Sequence, residues 1–193
     1  KVIISPNVNN IDAQAFTYCP KLVEINVDKN NLNYYSDEGI LYNKDKTELI
    51  RCPAGKSGTC SVLADTETIG KSAFGNCKQL TEIEFPTGLV NIGEAAFTFC
   101  DALTEISLPS GLRYIEDYAF SGCFWLTEVT ILGNVERVNG SSFYSCENLE
   151  AIHVDNSNPY YSSWDGVLYS KDKTELIKVP DSVADSFEIP SGV

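Results

Sequence analysis

The sequence predicts an α/β solenoid. Each stacked coil gives one parallel strand to one wall and a short helical turn or a β-hairpin to the other. Two observations carry this reading. The pattern A-F-x-x-C-x-x-L-x-x-I recurs at a fixed step: Phe74, Phe97, Phe120 and Phe143 lie 23 residues apart, as do Cys77, Cys100, Cys123 and Cys146. A longer unit also repeats. Val27 to Pro53 aligns without a gap on Val154 to Pro180 at a shift of 127, and the run Lys44-Asp45-Lys46-Thr47-Glu48-Leu49-Ile50 returns at Lys171 to Ile177. A fixed period in the twenties means stacked units, none able to bury its apolar face without a neighbour.

The last inward residue of each strand segment sets the register. These residues are Ile4, Val27, Val62, Phe85, Leu108, Ile131, Val154 and Ile189, with spacings of 23, 35, 23, 23, 23, 23 and 35. In the short coil, Leu80-Thr81-Glu82-Ile83-Glu84-Phe85 alternates apolar and polar residues, as a half-buried strand does. Pro86 and Gly88 turn the chain, and Leu89 and Ile92 return apolar groups to the interior. Gly93 to Cys100 has room for about one helical turn, with Ala96, Phe97 and Cys100 facing inward. The long coils, near 28–62 and 155–189, lack A-F-x-x-C. They carry instead two β-prone runs, Gly39 to Tyr42 and Thr47 to Arg51, joined by Asn43 to Lys46, which read as a hairpin. Gly166 to Tyr169 and Thr174 to Lys178 repeat it. Residues 1–193 form one solenoid domain without a linker, and each stacked Phe contributes about 1.5–3 kcal/mol by burial.

These motifs resemble the BspA-type leucine-rich repeats of bacterial surface and secreted proteins. The residues that carry the resemblance are Ile69, Ala73, Phe74, Cys77, Leu80, Ile83, Phe85 and Pro86, and again Ile92, Ala96, Phe97, Cys100, Leu103, Ile106, Leu108 and Pro109. The insertion from Asp165 to Pro180 is similar to one found in the same proteins. Two departures are local: Ser142 stands where Ala is usual, and Leu132-Gly133 where Pro is usual. The resemblance implies a right-handed leucine-rich-repeat solenoid with a parallel concave sheet, a bacterial source, and an extracellular or cell-surface location. It assigns no functional residues, because its motif residues are the core.

Composition narrows the partners. A net charge of −13 argues against nucleic acid and anionic lipid, both of which are bound through Lys and Arg. No signal peptide or apolar membrane span is visible. Both ends fall inside a coil without capping repeats, which reads as a piece of a longer secreted protein. Seven cysteines cannot all pair within the chain. Cys19, Cys77, Cys100, Cys123 and Cys146 occupy one repeat position, and Cys52 and Cys60 align at shift 127 with Val179 and Phe187. Free buried thiols are therefore expected rather than a metal site or cross-links, with pairing of Cys52 and Cys60 left open. No metal or cofactor is expected.

Outward residues of the strand wall fall into two columns. One is Glu24, Thr59, Glu82, Glu105, Glu128, Ala151 and Ser186, and the other is Asn26, Ser61, Glu84, Ser107, Thr130, His153 and Glu188. The stacked glutamates read either as a solvated face or as an acidic strip that selects a basic protein surface. A flat ladder converges poorly on a cation. Phe124 and Trp125 occupy positions that are mostly polar in the other coils, and Phe99 lies one rung earlier. They read either as packing or as an exposed anchor for a protein or a glycan. Tyr34, Tyr35, Tyr160, Tyr161 and Trp164 in the long coils read as packing under the insertions, with Trp164 also a candidate for sugar stacking. His153 is the single histidine and has no nucleophile elbow or metal-ligand spacing around it, so no enzyme is expected. The sequence thus points to a non-enzymatic recognition module that binds a protein. Its alternatives are a glycan-binding module and a passive spacer.

Overall fold

The computed structural model describes residues 1–12, 14–183 and 189. Ser186 and Glu188, assigned above to columns, and Phe187, aligned above with Cys60, lie outside the described residues. In chain order the strands are β1 (Val2–Ile4), β2 (Ile25–Val27), β3 (Tyr34–Asp37), β4 (Ile40–Asn43), β5 (Glu48–Arg51), β6 (Ser57–Ser61), β7 (Thr68–Ile69) and β8 (Gln79–Glu84). They continue with β9 (Asn91–Ile92), β10 (Tyr114–Ile115), β11 (Glu128–Ile131), β12 (Ala151–Val154), β13 (Tyr161–Trp164), β14 (Val167–Ser170) and β15 (Leu176–Lys178).

The columns exist. Phe74, Phe97, Phe120 and Phe143 are each fully buried. Their rings stack face to face with centroids 4.8, 5.2 and 5.7 Å apart and planes within 13° of parallel. Strand pairing has the expected step: Val2 lies opposite Ile25, Thr59 opposite Glu82, and Glu128 opposite Ala151.

The strand wall is not one continuous sheet, however. It consists of the parallel pairs β1–β2, β6–β8 and β11–β12, and Glu105 bridges to Glu128. The insertions cause two of the breaks. The N–H of Ile25 donates to the Gly39 carbonyl at 2.8 Å, and that of Ile152 to Gly166 at 2.7 Å, so β2 and β12 spend an edge on their own insertions. The longest sheet belongs instead to the second wall, with six strands in the order β10-β9-β7-β5-β4-β3. Ile189, expected to point inward, is exposed; its neighbours fall outside the described residues.

The A-F-x-x-C segments are not helical turns, which corrects the α/β expectation. Among the described residues the only helix is a 3-10 turn, Gly140–Phe143. Elsewhere the segment donates to the next coil: Phe74 N–H to Ala96 O at 2.7 Å, Phe97 to Ala119 at 2.7 Å, and Phe120 to Ser142 at 2.8 Å. The backbone is left-handed at Ser72 and Asn76, at Ala95 and Phe99, and at Tyr118 and Gly122. One such residue every fourth position interrupts a right-handed turn and aims N–H groups between coils. Each non-glycine case costs roughly 1–2 kcal/mol, which the cross-coil hydrogen bonds offset. The 3-10 turn has its own cause. The Asn139 side chain accepts from the N–H groups of Ser141 and Ser142, and the Ser142 hydroxyl accepts from Asn139 N–H, closing a capping box. Ser142, a departure from the repeat, makes that box.

Each insertion is a three-stranded meander, one strand more than the two runs expected. β4 pairs antiparallel with β3 and β5, and β14 with β13 and β15. Asn31 and Asn158 staple them to the preceding coil. Asn31 Nδ2 donates to the carbonyls of Ser5 and Val8, and its Oδ1 accepts from Asn33 and Tyr34 N–H. Asn158 repeats this with Leu132, Val135, Tyr160 and Tyr161. The Tyr34 hydroxyl accepts from Ile11 N–H at 2.9 Å and the Tyr161 hydroxyl from Val138 N–H at 3.1 Å, so these two tyrosines are structural.

Candidate functional site

The fold places the outward glutamates along the strand wall with unequal surroundings. Glu24 is held by Lys1 at 3.1 Å and Asn26 at 3.0 Å, which lowers its carboxyl below the usual range. Glu82 accepts from the Thr59 hydroxyl at 2.9 Å, and Glu84 accepts from Ser61. Glu128 sits 3.6 Å from the ring of His153, which is exposed on β12. Glu105 faces Glu128 across a bridge, and Glu82 and Glu105 flank a slot of about 280 Å³ lined also by Thr81, Ile83, Ile106 and Ser107. Among the described residues no ladder bond joins β8 to the rung of Glu105, which leaves that slot open. Nor does any Lys or Arg reach Glu82, Glu84 or Glu105.

The other faces differ. Lys71 pairs with Glu94 and Lys78 with Asp101, both at 2.8 Å. Arg113 pairs with Glu136, and Arg137 with Glu116. All four join neighbouring coils, because residues one period apart stack.

Of the predicted aromatics, Phe124 and Trp125 form an edge-to-face pair with centroids 5.4 Å apart, and Trp125 is 54% exposed. The Phe99 ring covers Gly122 of the next coil. A Cβ there would lie 2.6 Å from that ring, and φ at Gly122 is +68°, so glycine is required twice over. This places Phe99 beside the segment carrying Phe124. Trp164 is exposed at the end of β13, with the Lys173 ammonium 5.4 Å from its centroid. Three exposed aromatics escaped the sequence reading, Tyr18, Tyr118 and Tyr144, and two of them form a pair. Tyr118 and Tyr144 are exposed and meet edge to face at 6.1 Å. The signal was there: one period away from them stand Ala95 and Ser141, and Ser121, all small.

All seven cysteines are free, and all but Cys19 are buried. The thiols of Cys100, Cys123 and Cys146 donate to the carbonyls of Phe74, Phe97 and Phe120 at 3.1–3.2 Å. Burial pushes the Cys52, Cys100 and Cys123 thiols up, and Cys146 up to about 12. Such thiols are packing elements that also occupy a carbonyl.

Six copies of the BspA type leucine rich repeat region match the chain over residues 1–56 and 56–164. The chain belongs to that family. Similar solved structures agree with these BspA-type repeats. The pneumococcal vaccine antigen PcpA is 28% identical over 82% of this chain and 39% of its own, with a TM-score of 0.76. A leucine rich cell surface protein from Faecalibacterium prausnitzii is 27% identical over 82% of this chain and 42% of its own, TM-score 0.73. A leucine-rich repeat protein from Eubacterium ventriosum is 26% identical over 81% and 42%, TM-score 0.68. The chain thus spans about two fifths of the length of each. No curated protein matches it. Among the described residues no group of three or more His, Cys, Asp or Glu side chains converges as metal ligands, and no helix is long and apolar enough to cross a membrane.

Proposed function

We propose that these BspA-type repeats form a non-catalytic recognition module of a bacterial surface or secreted protein. The module takes a basic segment of a partner protein along its strand wall. Glu82, Glu84, Glu105 and Glu128 supply the charge, His153 closes one end, and Glu24 extends the strip. Phe124 and Trp125, with Phe99 beside them, are the apolar anchors. One observation carries the reading: among the described residues no Lys or Arg pairs with Glu82, Glu84 or Glu105, in a scaffold that elsewhere sets opposite charges one period apart. Unpaired like charge contributes nothing to folding, whereas a slot between two carboxylates suits a Lys or Arg side chain. A cell-surface or extracellular location follows the description of the Faecalibacterium relative.

The test is titration of the chain with a synthetic Lys/Arg-rich peptide at about 50 and 300 mM salt, between which screening shortens appreciably. The expected result is binding that weakens with salt and is lost in Glu82→Lys and Glu105→Lys but kept in Glu94→Lys. Equal loss in all three variants would show general acidity and sink the strip. The exposed Phe124–Trp125 pair favours a second reading, a glycan-binding module. It is distinguished by salt-insensitive binding of an oligosaccharide that Trp125→Ala removes.

A further inference from the structure

A cleft of about 360 Å³ opens at a corner of the coils, between the turns at Gly111 and Gly133 and the start of the second insertion. Arg113, Asn134, Glu136, Pro159 and Tyr160 line it. Its polar groups are held in place before any ligand arrives. Arg113 Nε donates to Glu136 Oε1 at 2.8 Å, and the Tyr114 hydroxyl donates to Oε2 at 3.3 Å. The Tyr114 ring in turn lies 5.8 Å from the Arg113 guanidinium and 5.2 Å from that of Arg137. Asn134 Nδ2 donates to Ser110 O at 2.8 Å, which fixes the amide and leaves its oxygen as an acceptor.

The two insertions separate what the fold requires here from what it does not. Asn158, Tyr161, Ser163 and Gly166 recur at shift 127 as Asn31, Tyr34, Ser36 and Gly39, with the same hydrogen bonds. Pro159 and Tyr160 do not recur: their counterparts are Leu32 and Asn33. Tyr160 is nevertheless half exposed and faces the cleft. The corner is also altered on its other side. Gly133 stands where the two preceding coils have Thr87 and Ser110, and a Cβ there would lie 2.3 Å from Ser157 Oγ, so glycine lets the insertion close down on the cleft.

We propose that this cleft is a binding subsite for a neutral saccharide. A pyranose ring offers a C–H face that packs on an aromatic ring, and hydroxyls that both donate and accept. Tyr160 supplies the face. Arg113, Glu136 and Asn134 supply a guanidinium, a carboxylate and an amide, planar groups suited to neighbouring hydroxyls. The volume lies at the lower end of the range for small-molecule sites, about 300–1,000 Å³. Glu136 already neutralises Arg113 and the chain carries −13, which disfavours an anionic sugar or phosphate. The subsite is independent of the acidic strip.

Saturation-transfer NMR with a panel of trisaccharides tests it, each offered at about 10 mM, where millimolar affinities register. The panel is α-glucan, β-glucan, mannan, xylan and chitin trisaccharides. At least one is expected to bind. Tyr160→Asn, which installs the residue of the first insertion and so preserves the fold, should weaken it by about tenfold or more. Tyr160→Phe, Trp125→Ala and Glu105→Lys should leave it within about twofold. The assignment is overturned if no sugar binds, if Tyr160→Asn binds as well as the parent chain, or if Trp125→Ala alone abolishes binding.

Discussion

The strand wall and the turn wall are built from the same period, yet from Glu82 to Glu105 the strand wall treats charge in the opposite way. Stacking puts every residue against its counterpart one coil away. On the turn wall the counterparts satisfy each other: Lys71 meets Glu94, Lys78 meets Asp101, and the thiol of each later cysteine fills a phenylalanine carbonyl. On the strand wall Glu105 meets Glu128, and no described Lys or Arg approaches Glu82 or Glu84. Two unit charges about 5 Å apart in water repel by roughly 0.8 kcal/mol, a penalty small enough to keep. A repeat scaffold can therefore hold an unfavourable column at modest cost. The difference teaches that sign alternation marks columns serving stability, while sign repetition marks columns the fold does not explain.

The comparison rests on the columns themselves, so the largest effect comes from breaking one. Phe97 stacks between Phe74 and Phe120 and meets Phe85 edge-on at 5.8 Å. Phe97→Ala is expected to cost about 3–5 kcal/mol, by transfer plus cavity. Urea unfolding checks it, and a loss below about 1 kcal/mol would mean that coils tolerate slippage.

Next in size is alkaline pH acting on the turn wall. The Cys100, Cys123 and Cys146 thiols have folded values raised by burial, to about 12 at Cys146, whereas an unfolded thiol titrates near 9. Below that unfolded value both states hold the proton and stability is unaffected. Above it the unfolded chain releases protons that the native state keeps, so stability falls as pH rises toward the folded value. One unit of pH contributes about 1.4 kcal/mol per thiol at most, which gives a loss of up to about 4 kcal/mol for three thiols by pH 10. Unfolding midpoints measured from pH 8 to 10.5 should show it, with a shallower slope in Cys146→Ala. A flat profile would mean that the thiols are reached by solvent.

The sequence made the columns legible because a stacked side chain has no freedom to drift from its period. The repeating Phe and Cys from Phe74 to Cys146 all proved buried, as did Leu80, Leu103, Leu126 and Leu149, while Cys19, Phe85, Ile106 and Leu108 are partly buried. It misled on the A-F-x-x-C segment. Ala, Phe and Cys at that spacing fit a helical turn, and nothing in the composition of Ser72, Ala95 or Tyr118 announces a left-handed backbone. That conformation is selected by bonds to the next coil, a tertiary cause. The third strand of each insertion was hidden for a similar reason: Tyr35-Ser36-Asp37 has little apolar alternation, and β3 is held by β4 and by the Ser36 hydroxyl accepting from Val27. Of the candidate site, the glutamate column was readable, but the slot between Glu82 and Glu105 was not, since an absent ladder leaves no mark in a sequence. Tyr118 and Tyr144 were readable by the rule applied to Trp125.

A smaller effect separates the walls directly. Glu105→Lys places a cation between Glu82 and Glu128, so it should leave stability unchanged or raise it slightly. It should also weaken a Lys/Arg-rich peptide by about tenfold, or about 1.4 kcal/mol. Binding that persists would assign the peptide to another face.

The smallest effect tests whether sign alternation contributes to stability at all. Lys71 and Glu94 lie 2.8 Å apart, each about half exposed, so water screens them. A double-mutant cycle with Lys71→Ala and Glu94→Ala should return a coupling of about 0.2–1 kcal/mol that shrinks with added salt. The reciprocal construction is more telling. Thr59→Lys places a cation opposite Glu82 on β6, supplying to the strand wall the pairing that the turn wall already has. If alternation stabilises, Thr59→Lys should gain a few tenths of a kcal/mol while lowering peptide affinity. A gain without any change in affinity would detach the glutamate column from binding and leave it a solvated face.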